Sequence, residues 1–231
     1  MKHIRNWGRG FAGLFLPRRC AGCDRGLMHF ESCLCLGCTE DLPLTRFHDD
    51  PDNRVEQLFK GKVEMEAASA YLFFTRDGMV QHMLHRLKYH SDRHVGLYLG
   101  RMMAEDLMRS PRFATVDCFL PVPLHPRKEF MRGYNQSQVL VNGMQQKWPL
   151  PCIGKDLVRV VRTPSQTRRS RLDRWRNVKE AFHLPDPEKL QGKHVLIVDD
   201  VVTTGATLEG CMKALSAVPN VRTSVYTVAC A

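Results

Sequence analysis

No stretch of the 231 residues approaches the roughly 20 consecutive apolar side chains of a membrane span, which argues against integral insertion. There is no internal repeat and no low-complexity tract, so solenoid and fibrous architectures are set aside. Hydrophobic residues make up 43% and charged residues 25%, which rules out a disordered chain. Acids are outnumbered, 24 against 34 Lys+Arg, and the formal net charge is +10. That imbalance favours polyanionic partners such as nucleic acid or phosphorylated substrates. Aromatics are few, at 8%, so a stacking surface for single-stranded nucleic acid has few side chains to draw on. Tyr134 and Trp175 are two that lie within basic sequence.

The nine cysteines are an odd number and unevenly spread, with five between Cys20 and Cys38, a poor pattern for a secreted disulfide framework. The apolar patch Phe11 to Leu16 is too short for a signal core and is followed by Pro17, Arg18 and Arg19. A cytoplasmic protein is the expectation. Within the first nineteen residues, Ile4, Trp7, Phe11, Leu14 and Phe15 recur at helical spacing. Such a stripe either docks on its own protein or lies on a membrane surface.

Residues 1–47 read as a basic N-terminal helix followed by a small cysteine module, and the acidic, turn-rich link His48 to Asn53 reads as a boundary. From residue 60 to 231 strand-like and helix-like stretches alternate. Strands are expected at 70–74, 115–122, 157–161, 194–200 and 221–229, and helices at 79–89, 95–108, 134–148 and 205–217. The alternation predicts an α/β fold, a mostly parallel sheet covered by helices on both faces.

Cys20-Ala21-Gly22-Cys23 and Cys35-Leu36-Gly37-Cys38 are two C-x2-C turns. Each turn can deliver two thiolates to one ion, and together they predict a four-thiolate structural zinc site. The eleven-residue spacer is shorter than the usual 15–20 or so. Cys33 could replace Cys35 as a ligand, and a redox pair is the other alternative. The remaining cysteines, Cys118, Cys152, Cys211 and Cys230, sit in apolar contexts and read as small core residues.

The most informative segment runs from His194 to Thr207. An apolar strand ends in Asp199 and Asp200, at the carboxyl edge where open α/β sheets bind ligands. Thr203, Thr204 and Thr207 flank Gly205 at the start of a helix, where hydroxyls, amides and the positive helix end make a phosphate cradle. The acids suit sugar hydroxyls or a Mg²⁺ carried by the ligand. Two other readings compete. Asp-Asp after a strand resembles a Walker B site, but the G-x4-G-K-[ST] loop is absent. A simple helix cap accounts for one Thr or Asp, not for the whole set.

Val198 to Thr207 closely resembles the phosphoribosyl pyrophosphate (PRPP) motif of type I phosphoribosyltransferases. The resemblance implies that Asp199 and Asp200 take the ribose hydroxyls. It implies that the loop from Val201 and Val202 through Thr203, Thr204, Gly205, Ala206 and Thr207 holds the 5′-phosphate. Two basic stretches add to it. Leu120 to Lys128 is a strand ending in a Pro-rich turn that can present Arg127 and Lys128 to a diphosphate, and Arg132 to Ser137 follows. Arg162 to Asn177 contains Gln166, Arg168 and Arg174. The plain reading of these cations is a solvated basic face.

With Leu87-Lys88-Tyr89, Pro121-Val122-Pro123-Leu124, Arg132-Gly133-Tyr134-Asn135-Gln136 and Gln166…Arg174-x-x-Asn177, the chain looks like a member of the ComF family, with Tyr134 where Phe is usual. That resemblance implies a phosphoribosyltransferase domain behind a zinc ribbon, with Lys88, Arg127, Lys128, Arg132, Gln166, Arg168 and Arg174 toward the pyrophosphate. It implies Mg²⁺ with PRPP, and DNA uptake involving single-stranded DNA and other competence proteins. Two alternatives stand beside it: a salvage transferase acting on a free base, and a non-enzymatic zinc-ribbon DNA-binding module or PRPP sensor. His82, His85, His90 and His94 read as surface histidines rather than a second metal site.

Overall fold

The computed structural model describes residues 18–89, 92–154, 157–159 and 182–231. The N-terminal stripe, His90, and Gln166, Arg168, Arg174, Trp175 and Asn177 lie outside the described residues.

Four strands form one parallel sheet: β1 (Ala67–Phe73), β2 (Cys118–Pro121), β5 (His194–Val202) and β6 (Arg222–Cys230), in the order β1-β6-β5-β2. All three pairings are parallel. Such a sheet is stable only with both faces covered, and the burial follows. Alternate residues of β5 enter opposite cores, Leu196 and Val198 on one side, Val195 and Ile197 on the other.

One core gathers α3 (Met79–Tyr89), α4 (Arg93–Leu107) and α6 (Gln136–Met144) through residues such as Leu87, Leu99 and Leu140. The other gathers α2 (Arg54–Gln57), α7 (Ala206–Leu215) and Phe59. Helices α4 and α6 touch backbone to backbone. A Cβ on Gly100 would lie 2.1 Å from Leu140 O, and one on Gly143 would lie 2.5 Å from Leu97 O. Neither position has room for a side chain, although alanine would favour an isolated helix by about 1 kcal/mol.

Two sequence expectations change. Of the strand expected at 157–161, residues 157–159 are described and do not join the sheet: β3 (Val158–Arg159) pairs antiparallel with β4 (Phe182–His183) as a separate ribbon. The Pro-rich turn after β2 is followed at once by a helix, α5 (Pro126–Arg132), so Arg127 and Lys128 stand in its first turn. His125 caps it by accepting from Arg127 N at 3.2 Å, Pro126 occupies the first helical position, and Gly133 ends it at φ 74°. The acidic link His48 to Asn53 is held by hydrogen bonds. Asn53 is buried and donates to Phe47 O, Asp50 O and Ala68 O, while Ser110 Oγ donates to His48 O at 2.8 Å. Among the described residues no helix is long and apolar enough to cross a membrane.

Candidate functional site

Strand β5 carries the two carboxylates past the end of its neighbour. β2 pairs with β5 as far as Pro121 opposite Val198, whereas on the other side β6 continues, with Thr227 opposite Asp199. The space beyond β2 is taken by the start of α6, whose Ser137 Oγ donates to Asp199 Oδ1 at 2.9 Å. The Asp200 amide donates to the same oxygen at 2.9 Å. Lys88, in the last turn of α3, ion-pairs with Asp200 Oδ2 at 2.8 Å. Thus two helices from different parts of the chain converge on adjacent acids.

The acids crowd each other. Burial, and then the Asp200 charge, push the Asp199 carboxyl up to about 7. The Asp200 amide, the Ser137 hydroxyl and Lys88 pull the other way and are outweighed.

The loop after the acids turns at Gly205, at φ 75°, a conformation that side chains other than glycine rarely adopt. A Cβ there would also lie 2.7 Å from Phe59 Cε1. Helix α7 starts at the next residue with no side-chain cap, so its first amides are not satisfied by a local side chain. Asp199 and residues 201–208 bound a small concavity of about 60 Å³, with Thr203 and Thr204 exposed at its rim. That is room for about two water molecules, a scale suited to one oxyanion.

The Arg132–Ser137 motif has a separate task for most of its residues. Arg132 Nη1 donates to Gln136 Oε1 at 2.8 Å and its guanidinium lies 5.5 Å from the centre of the Tyr89 ring. Tyr134 OH donates to Leu87 O, beside Lys88. Asn135 caps α6 and donates to Val122 O at 2.9 Å, closing the loop that contains α5. Gln136 is buried, and its Nε2 has no partner among the described residues. Sequence reasoning singled out Arg132 but missed Ser137, whose target is 62 residues away.

Of the other expected cations, Arg127 and Lys128 are exposed on α5, and no bond among the described residues joins either one to residues 199–207. Val201 and Val202 finish β5, the first partly exposed and the second buried.

The thiols of Cys20, Cys23, Cys35 and Cys38 lie within 4.8 Å of one another. Cys23 Sγ and Cys35 Sγ are 3.8 Å apart. Metal–sulfur bonds of about 2.3 Å in a tetrahedron set sulfur–sulfur edges near 3.8 Å, so the cluster fits a four-thiolate ion. Burial alone would raise the Cys20 thiol, but amides of Cys35, Cys23 and Gly22 bring it down to about 7. Burial and the neighbouring thiols push Cys38 the other way. Cys33 is outside the cluster, and burial pushes its thiol up to about 12. The short spacer is braced by buried Glu31, which accepts from Met28 N at 2.7 Å and Leu36 N at 2.8 Å.

The cluster is not remote from the acids. Arg86, two residues before Lys88 on α3, donates to Arg19 O and Cys20 O, both at 3.2 Å, while pairing with Asp92 at 2.7 Å. A Cβ on Gly22 would be in ordinary contact with Met79 Cβ, at 3.4 Å.

The raised carboxyl has a measurable consequence. The folded protein retains a proton that the unfolded chain releases near the ordinary value of 3.8, so stability falls as pH rises from about 4 to about 7. Buried His194, lowered chiefly by burial, acts with the opposite sign. We therefore compare variants: Asp199→Asn should lose less stability than the parent between pH 5 and 7.5 in urea unfolding. Equal losses would contradict the assignment.

Residues 137–224 match the phosphoribosyl transferase domain model. The DNA utilization protein YhgH of Escherichia coli K12 is 33% identical over 129 residues, covering 54% of this chain and 56% of that protein. Competence protein F of Haemophilus influenzae is 30% identical over 137 residues, covering 58% and 60%. The chain thus spans just over half the length of the curated relatives it matches. Among solved structures, hypoxanthine phosphoribosyl transferase of Trypanosoma cruzi superposes with a TM-score of 0.35 at 17% identity, over 62% of this chain and 74% of that one. UMP synthase of Leishmania donovani gives 0.36 at 12%, over 67% and 27%. Behind its four-cysteine cluster the chain thus carries a segment that matches the phosphoribosyl transferase domain, and it is similar to competence protein F and to YhgH over just over half of their length.

Proposed function

We propose that the chain binds PRPP with Mg²⁺ at the end of β5 and works in DNA uptake in the cytoplasm, with single-stranded DNA and other competence proteins as partners. The observation that carries this reading is the convergence of Lys88 and Ser137 on two adjacent acids beside an uncapped helix start. In the reading, the amides and hydroxyls of residues 203–207 hold the 5′-phosphate. Asp199 and Asp200 accept from the ribose hydroxyls or contact the ligand's magnesium. Lys88 and Arg132, with Arg127 and Lys128 on exposed α5 and Gln166, Arg168 and Arg174 beyond it, face the diphosphate. Bound magnesium would neutralise charge on the leaving diphosphate. The chain's own residues orient the ribose and hold the anion.

The DNA part draws on the names of the relatives and on the net charge of +10. The four-cysteine cluster is read as a zinc site with a structural role, since four thiolates leave no open position.

Three experiments test these statements. Calorimetric titration of PRPP with Mg²⁺ should show binding that weakens at least about tenfold in Asp200→Asn, the loss of one charge-assisted contact. Absence of heat in the parent protein would overturn the reading. A labelled oligothymidylate should bind with an affinity that drops steeply between 50 and 200 mM salt, as phosphate contacts require. Metal analysis should find one zinc per chain, and a strong chelator should lower the unfolding temperature. A metal-free protein of unchanged stability would rule the zinc out.

A further inference from the structure

Helix α5 buries none of its seven residues. It is fixed at its ends instead, by the His125 cap and by Gly133 at φ 74°. A helix this short gains little from its own backbone and ordinarily docks an apolar face on the core. This one turns its apolar side chains outward, with Phe130 90% and Met131 80% exposed. We propose that α5 is a stacking surface for single-stranded nucleic acid, with Phe130 and Met131 against the bases and Arg127 and Lys128 on the backbone phosphates. This deepens the single-stranded DNA reading above and rests on it.

Helical spacing arranges the face. Arg127, Phe130 and Met131 are related as i, i+3 and i+4, and so are Lys128, Met131 and Arg132. Two rows that each carry a cation therefore meet at Met131, with Phe130 on their flank. Glu129, the one acid of the helix, stands two residues before Met131 and so falls nearly opposite it. The face is apolar at its centre and cationic at its rim.

Charge and shape select the occupant. Three cations against one acid on α5, within a chain of net charge +10, are complementary to a polyanion. A second copy of the same face would be repelled by the like charges. A bilayer satisfies the charge, but two side chains on about 10 Å of helix offer little apolar surface to insert. A duplex keeps its bases stacked inside, out of reach of a ring on a convex helix. Unstacked bases present their faces to an aromatic side chain whatever their sequence, and the Met131 thioether adapts to the same flat surface. Arg127 and Lys128 are exposed, and no bond among the described residues joins them to residues 199–207. Nucleic-acid phosphates can therefore reach them when the acids hold no PRPP.

The test is the fluorescence anisotropy of a labelled oligothymidylate titrated with the whole chain as purified, without PRPP. Phe130→Ala should weaken binding about tenfold, the loss of one stacked base, and Phe130→Trp should retain the parent's affinity. An abasic oligomer of the same length keeps the phosphates and lacks the rings. It should bind the parent at least about tenfold more weakly than oligothymidylate and be indifferent to Phe130→Ala. Unchanged oligothymidylate affinity in Phe130→Ala, or an equal loss on the abasic oligomer, would overturn this inference and leave the DNA reading standing. Phosphatidylglycerol vesicles that bind the parent and not Phe130→Ala, with oligothymidylate affinity unchanged, would give the face to a membrane and overturn it likewise. No binding of oligothymidylate by the parent would overturn the single-stranded DNA reading and this inference with it.

Discussion

Two carboxylates on consecutive residues at the end of a buried strand repel each other, and the rest of the site is arranged around that repulsion. The sheet cannot relieve it, because β2 stops opposite Val198, before the acids begin. Relief comes from outside the strand, through Lys88 on α3 and Ser137 on α6. It is incomplete for Asp199, whose carboxyl stays high. Such a residue is held ready for a ligand that brings hydroxyl donors or a cation, either of which favours the ionised form.

The two helices must therefore be held to within a fraction of an ångström, and several otherwise unrelated contacts do this. Tyr134 ties the loop before α6 to the end of α3 through Leu87 O. Gly100 and Gly143 let α4 and α6 touch along their backbones. Arg86 fastens α3 to the carbonyls of Arg19 and Cys20. The cysteine module thus braces the helix that carries Lys88, and its buried thiols share one core with Leu84 and Leu87. The four-cysteine module and the two acids are thus joined through α3.

Much of the fold was legible in the sequence for a physical reason. Strands buried on both faces read as unbroken apolar runs, as Val195 to Val198 does, and α3 appeared with its observed ends at Met79 and Tyr89. The concavity formed by Val201 to Leu208 was legible because its parts are consecutive. Contacts between distant segments were not. Lys88 entered only through the family resemblance, and Ser137 not at all, since nothing local marks a hydroxyl aimed at residue 199. Helix α5 was overlooked although its signals were present: a cap at His125, proline at the first helical position, glycine at the end. The run of prolines before it suggested a turn and masked them. The short spacer between the knuckles was accommodated by Glu31, a buried acid whose backbone partners no spacing rule anticipates.

Diffraction from crystals grown with PRPP and Mg²⁺ would test the central claim most directly. The account predicts density for the 5′-phosphate within hydrogen-bond reach of the 203–207 amides and for the ribose hydroxyls at Asp199 and Asp200. A ligand bound elsewhere, with the Lys88–Asp200 pair and the phosphate loop untouched, would contradict it.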